Sequence, residues 1–524
     1  MSFPFSRNRL AAEVKFPETL QANQHTFNAP ERLLDSVPGL LTWLTFAVCV
    51  IVSLVAPLDL FTIAAIVSFY SCIRFLLAAT ANLTGLRYIR EWEQVDWLAR
   101  YQREKTSKAL AWDAVHHVVI VPNFQEPAQI LCESLSALAC SPQARRMTVV
   151  LAMEMREAEA VAKAEALRQE FEGSFANLWI TLHPDGLPGE IPCKSSNLAW
   201  AGRWARNELV ETLGMNPEHL IVTTMDADTL WHRNYFCALT YQFALNPNRH
   251  ERFWQAPIRY HNNIWDINPL MRLVNAYSAA FELAYLAGFW WSPMPISSYS
   301  LSLCLLENSG YWDGNAIADE WRMYIKAFFA QKGRLKLEPI YLPFRAYATT
   351  GETFWEEIKN RYQQTLRHAW GSKEIGYAIG QMLKVRGTQP LPVLSLFIRV
   401  AHDLLLSSAG WMVIMLGGQL PLLLNVALPE DLLVLSAGWQ NPALVVWQTA
   451  IVVSAVLSIL VWRADVRQRP PRHAPLTFRE RCLTLASFAA LPLMVSLFVS
   501  IPVIQAQTRL LVGMLLDFRV SPKR

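Results

Sequence analysis

Apolar segments of membrane-spanning length lie on both sides of a long polar stretch, and this order constrains the fold more than any other feature of the chain. The apolar segments are residues 40–56, 61–83, much of 391–428, 442–462 and 483–503. A helix needs about 20 apolar residues to cross roughly 30 Å of hydrocarbon. With 52% hydrophobic and 17% charged residues, the chain is too apolar to be wholly soluble. We therefore expect a soluble domain inserted between transmembrane α-helices.

We divide the chain into a cytosolic N-terminal segment (1–37), a transmembrane helical hairpin (38–84), a soluble domain with interfacial helices (85–388) and a C-terminal transmembrane region (389–524). The first apolar span begins too late to be a cleaved signal peptide. Basic residues favour the cytosolic ends of spans, and they cluster before the first span, after the second and between the last two. The sequence therefore predicts a multi-pass protein of the cytoplasmic (inner or plasma) membrane, with the soluble domain in the cytosol.

The number of spans stays open between five and six. Five spans place the C-terminal tail outside, although this tail carries Arg509, Arg519, Lys523 and Arg524. Either a sixth span lies within residues 504–518, or residues 391–428 cross the membrane differently from this count. Arg74 and Asp403 lie inside or near apolar spans, where a charge is costly, so each should face protein or a water-filled path, or reach a span end.

Composition excludes several other classes of protein. The net charge of +4 comes with no polybasic groove, so no nucleic-acid partner is expected. The eight cysteines form no CxxC motif and no metal-like pairing with histidine, so we expect free thiols. No internal repeat is visible, which disfavours a transporter built from duplicated halves.

The polar stretch predicts alternating strands and helices. Strand-like runs occupy residues 118–121, 147–153, 178–182 and 220–225, with helical patterns between them, among them 156–171 and 194–210. Such alternation is typical of a mainly parallel, Rossmann-like α/β sheet covered on both faces. Ligands of these sheets bind at the carboxyl ends of the strands.

Asp226 and Asp228 follow the fourth predicted strand directly and would project into that crevice. Hard oxygen ligands suit Mg²⁺ or Mn²⁺, which stabilises the charge of a leaving nucleoside diphosphate. The alternative is that both residues are ordinary turn or capping residues.

Asp319 and Glu320 precede an amphipathic helical pattern. They could complement the positive end of a helix dipole. Alternatively, one of them is a general base that removes the proton of an acceptor hydroxyl.

Two further groups suit charged and sugar ligands. Lys194 opens a predicted helix after a Pro/Gly-rich loop, where a cation and backbone N–H groups favour phosphate, although it could also be a surface lysine. Gln364, Arg367, His368 and Trp370 combine a fixed cation, hydrogen-bonding groups and an aromatic plate.

In these motifs, residues 116–371 resemble the family 2 glycosyltransferases, specifically the membrane-embedded synthases of cellulose, hyaluronan and chitin. The shared elements are a first-strand motif with Pro122 and Glu126, Asp226-Ala-Asp228, Gln255-Ala-Pro257, Asp319-Glu320 and Gln364-x-x-Arg367. The resemblance implies a GT-A fold, a nucleotide-sugar donor and a divalent metal. It also implies that Asp226 contacts the donor nucleotide and that Asp228 binds the metal.

Three positions depart from that family. The acidic pair is reversed, so Glu320 occupies the position of the catalytic aspartate, and either Glu320 or Asp319 is the candidate base. Glu154 stands for an aspartate pair that holds the nucleotide base. His368 follows Arg367 where the family has tryptophan, with Trp370 two residues on.

We therefore expect an inverting, metal-dependent glycosyltransferase that extends a glycan at the cytosolic face of the membrane. Single transfer to a polyprenyl-phosphate lipid carrier is an alternative, and so is a non-catalytic scaffold or transporter that binds a nucleotide sugar. The expected partners are a nucleotide-sugar donor, a glycan or lipid-linked acceptor and membrane lipids. An export partner is possible, and the sequence names none.

Overall fold

The computed structural model describes residues 29–424, 442–472 and 474–514, which fold into two compact units. In this part of the chain, the first unit comprises residues 91–256 and 294–345. The second comprises residues 29–90, 257–293 and the described residues from 346 onward. Residues 257–293 and 346–388, which the sequence places in the soluble domain, thus fold with the apolar helices.

Nine strands are present in the described residues: β1 His116–Pro122, β2 Met147–Glu154, β3 Asn177–His183, β4 Leu220–Thr224, β5 Arg252–Gln255, β6 Ile258–Arg259, β7 Tyr299–Ser302, β8 Lys336–Pro339 and β9 Phe344–Arg345. Seven of them form the sheet of the first unit in the order β3-β2-β1-β4-β7-β5-β8. The strands β3, β2, β1 and β4 are mutually parallel, β5 and β8 are parallel, and β7 runs antiparallel to β4 and β5. The predicted mainly parallel sheet with connecting helices is confirmed.

The strands form where the sequence is apolar and β-branched. Val119, Ile120 and Val121 of β1 are fully buried, as expected for a strand covered on both faces. The register pairs Val118 with Thr148 on one side and with Val222 on the other, so the carboxyl ends of β1, β2 and β4 lie at one edge.

Helices connect these strands in the first unit. They are Trp97–Glu104, Ala128–Ala139, Ala160–Glu170, Lys194–Arg206, Tyr235–Leu245, Leu303–Asn308 and Asp319–Ala330. Two predicted helices differ at their ends. The helix predicted at 156–171 begins only at Ala160, and the one predicted at 194–210 continues as a π-helical turn, Asn207–Thr212.

The second unit is helical. Its helices are Ala29–Val55, most of Pro57–Glu93, Pro269–Ala287, Phe354–Ala369, Lys373–Lys384, Pro390–Leu405, Trp411–Gly417, Leu420–Leu424, Pro442–Val466, Phe478–Ala489, Leu491–Val495 and Ile501–Val512. The first begins at Ala29, before the expected membrane boundary at residue 38.

In the part of the chain that the structure describes, five helical segments are long and apolar enough to cross a membrane. They are Glu31–Val55, Pro57–Glu93, Pro390–Gly417, Pro442–Val466 and Leu493–Val512. The last one begins ten residues later than the sequence predicts at 483, because Phe478–Ala489 is a separate helix started by a Thr477–Glu480 capping box. Residues 504–512 belong to this fifth span, so the described residues contain no separate sixth one. The predicted segments 425–428 and 515–518 lie outside the described residues.

Candidate functional site

The ammonium of Lys194 lies among three carboxylates in the first unit. Its Nζ atom is 2.7 Å from Asp226 Oδ1, 3.5 Å from Glu320 Oε1 and 3.8 Å from Asp319 Oδ2. It also donates a hydrogen bond to the carbonyl of Ser297 at 2.9 Å. Burial lowers the pKa of Lys194, but the three carboxylates outweigh it and raise this pKa well above its ordinary value. The lysine is therefore a fixed positive charge at neutral pH.

This lysine brings together residues from three separate predicted motifs. Lys194 begins the helix Lys194–Arg206, Asp226 follows β4, and Asp319 and Glu320 begin the helix Asp319–Ala330. The sequence predicts Lys194 as a phosphate ligand, whereas in this structure its partners are carboxylates.

The turn after β4 is held by hydrogen bonds from several elements. The Asp226 N–H donates to Ser298 Oγ at 3.2 Å, and Thr229 N–H donates to the Asp226 carbonyl at 3.0 Å. Ser134 Oγ donates to the Ala227 carbonyl at 2.6 Å. Asp228 is 2% exposed. The turn that carries Asp226 and Asp228 is thus held by hydrogen bonds of its backbone. This agrees in part with the alternative that both aspartates are ordinary turn residues.

Ser297 is a site residue that no sequence motif marks. Its hydroxyl donates to Asp226 Oδ2 at 2.7 Å, and its backbone has a φ of 56°. Together with the Lys194 contact, this bond occupies both carboxylate oxygens of Asp226. A non-glycine residue with positive φ is uncommon and often marks a functional site, which is the signal that could identify it once backbone angles are known.

Asp319 and Glu320 differ in their surroundings. The Asp319 side chain is 4% exposed and that of Glu320 is 22% exposed. Asp319 Oδ2 has no hydrogen-bond partner among the described residues. Burial and the neighbouring Glu320 raise the pKa of Asp319 well above its ordinary value, and Lys194 opposes them only in part. Both residues lie in the first turn of their helix. They can therefore complement the helix dipole and contact Lys194 at the same time.

The two aspartates fit a metal only with help from a ligand. Among the described residues, no three His, Cys, Asp or Glu side chains are arranged to hold a metal ion. A metal bound to a nucleotide diphosphate takes one or two protein carboxylates and completes its shell with phosphate oxygens and water. Asp226 and Asp228 match that pattern, provided that a diphosphate supplies the further oxygens.

The loop after β1 is tied down by two residues that the sequence analysis missed. Glu157 Oε2 accepts from the Gln125 N–H at 2.8 Å and from Asn123 Nδ2 at 3.2 Å. Lys163 pairs with Glu157 and donates to the carbonyl of Glu126 at 2.9 Å. These bonds hold Gln125 at a φ of 59°. Pro122, the last residue of β1, and the buried Glu126 are thus part of a fixed loop at the carboxyl edge of the sheet.

Glu154 ends β2 and already has a cationic partner. Arg156 Nε donates to Glu154 Oε2 at 2.8 Å, and the Arg156 guanidinium lies 4.2 Å from the ring centroid of Phe124. Burial raises the pKa of Glu154, while Arg156 lowers it in part. Arg156 was missed because it belongs to no recognised motif, and Phe124 was not singled out although it lies within the first-strand motif between Pro122 and Glu126. Together the three residues offer a flat ring, a cation and an acceptor.

Gln364, Arg367, His368 and Trp370 belong to the second unit, on the helix Phe354–Ala369 and at its end. Gln364 Oε1 accepts from Arg361 Nη1 at 3.0 Å. Trp370 is 4% exposed, so its ring presents little surface to a sugar in this structure. The binding roles of these four residues stay predictions.

Comparison with known proteins adds little to this geometry. Neither a protein-family model nor a curated protein matches the sequence. The structure is similar to that of the mannosyltransferase PcManGT from Pyrobaculum calidifontis in complex with GDP-Man and Mn²⁺, with 15% sequence identity and a TM-score of 0.40 over 75% of this chain and 99% of that chain. A similarity at this level carries no argument about function.

Proposed function

We propose that this chain is a membrane-bound glycosyltransferase that transfers a sugar from a nucleotide-sugar donor to an acceptor, with inversion at the anomeric carbon. The observation that carries the proposal is the single cation of Lys194, which joins the predicted donor-binding Asp226 to the predicted base pair Asp319 and Glu320. The residues that we propose for leaving-group stabilisation and for proton removal are therefore close enough to act in one reaction.

On the donor side, the proposal assigns the diphosphate to Lys194 and the Asp226–Asp228 turn. The fixed positive charge of Lys194 favours a diphosphate and stabilises the extra negative charge on the leaving nucleoside diphosphate. Mg²⁺ or Mn²⁺, held by Asp226, Asp228 and the diphosphate oxygens, would supply further charge neutralisation of the leaving group. Glu154, Arg156 and Phe124 at the end of β2 and in the loop after β1 are the proposed contacts of the nucleotide base.

On the acceptor side, we assign the general base to Glu320. An acceptor must touch its base, and the side chain of Glu320 is 22% exposed against 4% for Asp319. Glu320 takes the hydroxyl proton while the acceptor oxygen forms its bond to the anomeric carbon. The bond between that carbon and the donor phosphate oxygen breaks on the opposite face, which inverts the configuration. Asp319 holds its proton to a higher pH than an ordinary aspartate and limits the negative charge around Lys194.

In this proposal the acceptor is a growing glycan. A glycan hydroxyl needs the general base, whereas a lipid phosphate does not. A sugar hydroxyl must lose a proton during transfer, whereas a phosphate monoester, with a second pKa of about 6, is already an anion at neutral pH. Loss of the base should therefore slow transfer to a hydroxyl strongly and transfer to a polyprenyl phosphate weakly.

The test is a donor screen on the purified chain in lipid nanodiscs, with UDP- and GDP-sugars, Mg²⁺ or Mn²⁺, and a chelator as control. We expect metal-dependent release of nucleoside diphosphate from one donor. Glu320→Gln should lower the rate by about 10²- to 10⁴-fold, the usual contribution of a general base. Asp228→Ala should abolish the metal-dependent release of nucleoside diphosphate. Glu165→Gln, a surface change on the helix Ala160–Glu170, should leave the rate unchanged.

Full activity in both Asp228→Ala and Glu320→Gln would contradict the proposal. Nucleotide binding without release from any donor, with both acceptor classes present, would instead favour a non-catalytic binding protein. Thin-layer separation of labelled products distinguishes an immobile polymer from a mobile lipid-linked sugar.

A further inference from the structure

A second cluster of charged side chains lies in the second unit, around the indole of Trp265. The guanidinium groups of Arg272, Arg469 and Arg472 lie 5.3, 5.7 and 5.5 Å from the ring centroid. Trp265 Nε1 donates to the carbonyl of Pro470 at 3.0 Å. The connection that follows the helix Pro442–Val466 is therefore folded onto the segment 261–272.

Two carboxylates hold this connection in place. Asp465 Oδ1 lies 2.9 Å from His261 Nε2, and its Oδ2 accepts from Arg469 Nε at 2.8 Å. Glu480 accepts from Arg472 at 2.9 Å and from Arg272 at 3.4 Å. Burial lowers the pKa of the nearby Arg259 to about 10, and the negative charge of Asp465 opposes that shift in part.

The charges of this cluster do not balance. Its arginines are Arg259, Arg272, Arg469 and Arg472, and its carboxylates are Asp465, Glu480 and Glu357, which interacts with Arg272. Four positive groups against three negative ones leave an excess of one positive charge, even without a charge on His261. Buried charges are normally paired, so this excess favours an anion.

Two guanidinium groups of this cluster are buried and keep open hydrogen-bond donors. Arg259 is 5% exposed, and its Nε and Nη2 atoms have no hydrogen-bond partner in the part of the chain that the structure describes. The Arg469 side chain is 4% exposed, and its Nη2 atom has no such partner either. Buried polar groups are almost always hydrogen-bonded, so these donors point to an acceptor. Arg259 lies two residues before His261, whose ring contacts the same Asp465 carboxylate that accepts from Arg469, so the open donors of both arginines belong to one small site.

The chemistry and position of the site select its ligand. Planar guanidinium groups match the tetrahedral oxygens of phosphate and often bind them through two parallel hydrogen bonds. Asp465 lies in the last turn of the apolar helix Pro442–Val466, and the end of a membrane-spanning helix lies at the depth of lipid headgroups. Arg472, with a side chain 27% exposed, and the half-buried Trp265 form the accessible rim.

We propose that Arg259 and Arg469, with Trp265 and Arg472 at the rim, form a binding site for a phosphate group at the end of this helix, presented by a lipid headgroup or as free phosphate. The site is separate from the Lys194 cluster, and its occupancy does not depend on sugar transfer. A bound phosphate would satisfy the open donors of both arginines and hold residues 467–472 against the segment 261–272.

The test measures thermal unfolding of the full chain in detergent with four probes. They are inorganic phosphate against chloride at equal ionic strength, and short-chain phosphatidic acid against diacylglycerol with the same chains. We expect a phosphate-bearing probe to raise the unfolding temperature, and the apparent Kd to weaken at least tenfold in Arg469→Gln and Arg259→Gln. Arg467→Gln, an exposed neighbour in the same connection, is the matched control and should keep the affinity of the unmodified chain.

The outcomes decide both the site and the source of the phosphate. A response to phosphatidic acid alone assigns the site to a lipid headgroup, and an equal response to inorganic phosphate assigns it to free phosphate. No response to either, or equal binding by Arg469→Gln and Arg467→Gln, overturns the proposal. If the arginine variants do not fold, the comparison of phosphate with chloride on the unmodified chain still decides it.

Discussion

Ser297 donates a hydrogen bond to Asp226 at 2.7 Å while its own backbone is held at a φ of 56°. Its carbonyl accepts from Lys194 at 2.9 Å, so the residue contacts both members of the Lys194–Asp226 ion pair. A non-glycine residue in the left-handed region costs about 1–2 kcal/mol. The contacts of Ser297 therefore stabilise a backbone conformation that the residue would not adopt alone.

Two substitutions of Ser297 separate its hydroxyl from its backbone strain. Both Ser297→Ala and Ser297→Gly remove the bond to Asp226, so both should lower kcat/KM by roughly 2- to 10-fold, the equivalent of one hydrogen bond of about 0.5–1.5 kcal/mol. Only glycine relieves the strain, so Ser297→Gly should unfold at a higher temperature than Ser297→Ala. Equal unfolding temperatures for the two variants, measured under the same conditions, would show that the backbone strain is unimportant.

Removal of the Lys194 charge should lower the rate of sugar transfer. Lys194 Nζ lies 2.7 Å from Asp226 Oδ1 and 3.5 Å from Glu320 Oε1, so Lys194→Gln removes the cation that joins these carboxylates. The loss of a charge that stabilises the leaving nucleoside diphosphate should lower kcat/KM by about 10²- to 10³-fold. The conservative variant Lys194→Arg keeps the charge and should keep most of the rate. Equal kcat/KM values for Lys194→Gln and Lys194→Arg would contradict this role.

Asp319 should destabilise the fold as the pH rises. Its folded-state pKa is raised well above the unfolded value, so the folded chain binds a proton more tightly than the unfolded chain. Stability from this group is present below the unfolded pKa and is lost as the pH rises through the folded pKa. Asp319→Asn removes the titration, so its unfolding temperature should exceed that of the unmodified chain increasingly toward alkaline pH. A constant difference from pH 5 to pH 9 would show that Asp319 does not titrate in this way.

The sheet could be predicted because its signal is local. Each of the runs 118–121, 147–153, 178–182 and 220–225 contains its own β-branched or apolar residues, and the structure has strands at all four. The last membrane span was misplaced by the same kind of reasoning. Hydropathy continues through residues 483–503, whereas the helix break after Ala489 depends on local backbone geometry that hydropathy does not report.

The candidate site was predictable in its residue types and less so in its contacts. Lys194, Asp226, Asp319 and Glu320 were singled out by motif and by their position at element ends. That Lys194 contacts the carboxylates depends on the packing of helices far apart in the chain. Ser297 lies 71 residues from Asp226 in a loop without a motif, so only the folded chain shows that it belongs to the site.

Two glycines of the helix Lys373–Lys384 make a matched pair for testing helix packing. A Cβ atom at Gly376 would lie 2.5 Å from the backbone carbonyl oxygen of Leu34, whereas one at Gly380 would lie 3.4 Å from the Leu34 side chain. Gly376→Ala should therefore lower the free energy of unfolding by about 1–3 kcal/mol through overpacking against a rigid backbone. Gly380→Ala should be neutral or stabilising, because alanine is favoured over glycine in a helix by about 1 kcal/mol. Equal unfolding temperatures of the two variants in detergent would contradict this close approach.

Asp403 is the shared acceptor of a charged network inside the apolar helices, which resolves how Arg74 and Asp403 are accommodated. Arg74 Nη2 and His402 Nδ1 lie 2.8 and 3.0 Å from Asp403 Oδ1. Arg399 Nη1 and Tyr285 OH each donate to Asp403 Oδ2 at 2.7 Å. Both charges therefore face protein, one of the options that the sequence analysis left open.

Because Asp403 has several partners, replacing Asp403 should cost more stability than replacing Arg74. Asp403→Leu leaves the Arg74 and Arg399 charges without their shared carboxylate, so it should cost about 3–5 kcal/mol of stability. Arg74→Leu should cost less, because Asp403 keeps Arg399, Tyr285 and His402. Unfolding of both single variants and the double variant in detergent gives the coupling energy of the pair. If Arg74→Leu is as damaging as Asp403→Leu, the carboxylate is not the centre of the network, and the stability depends instead on the packing of Arg74 over Trp291, whose ring centroid lies 5.0 Å away.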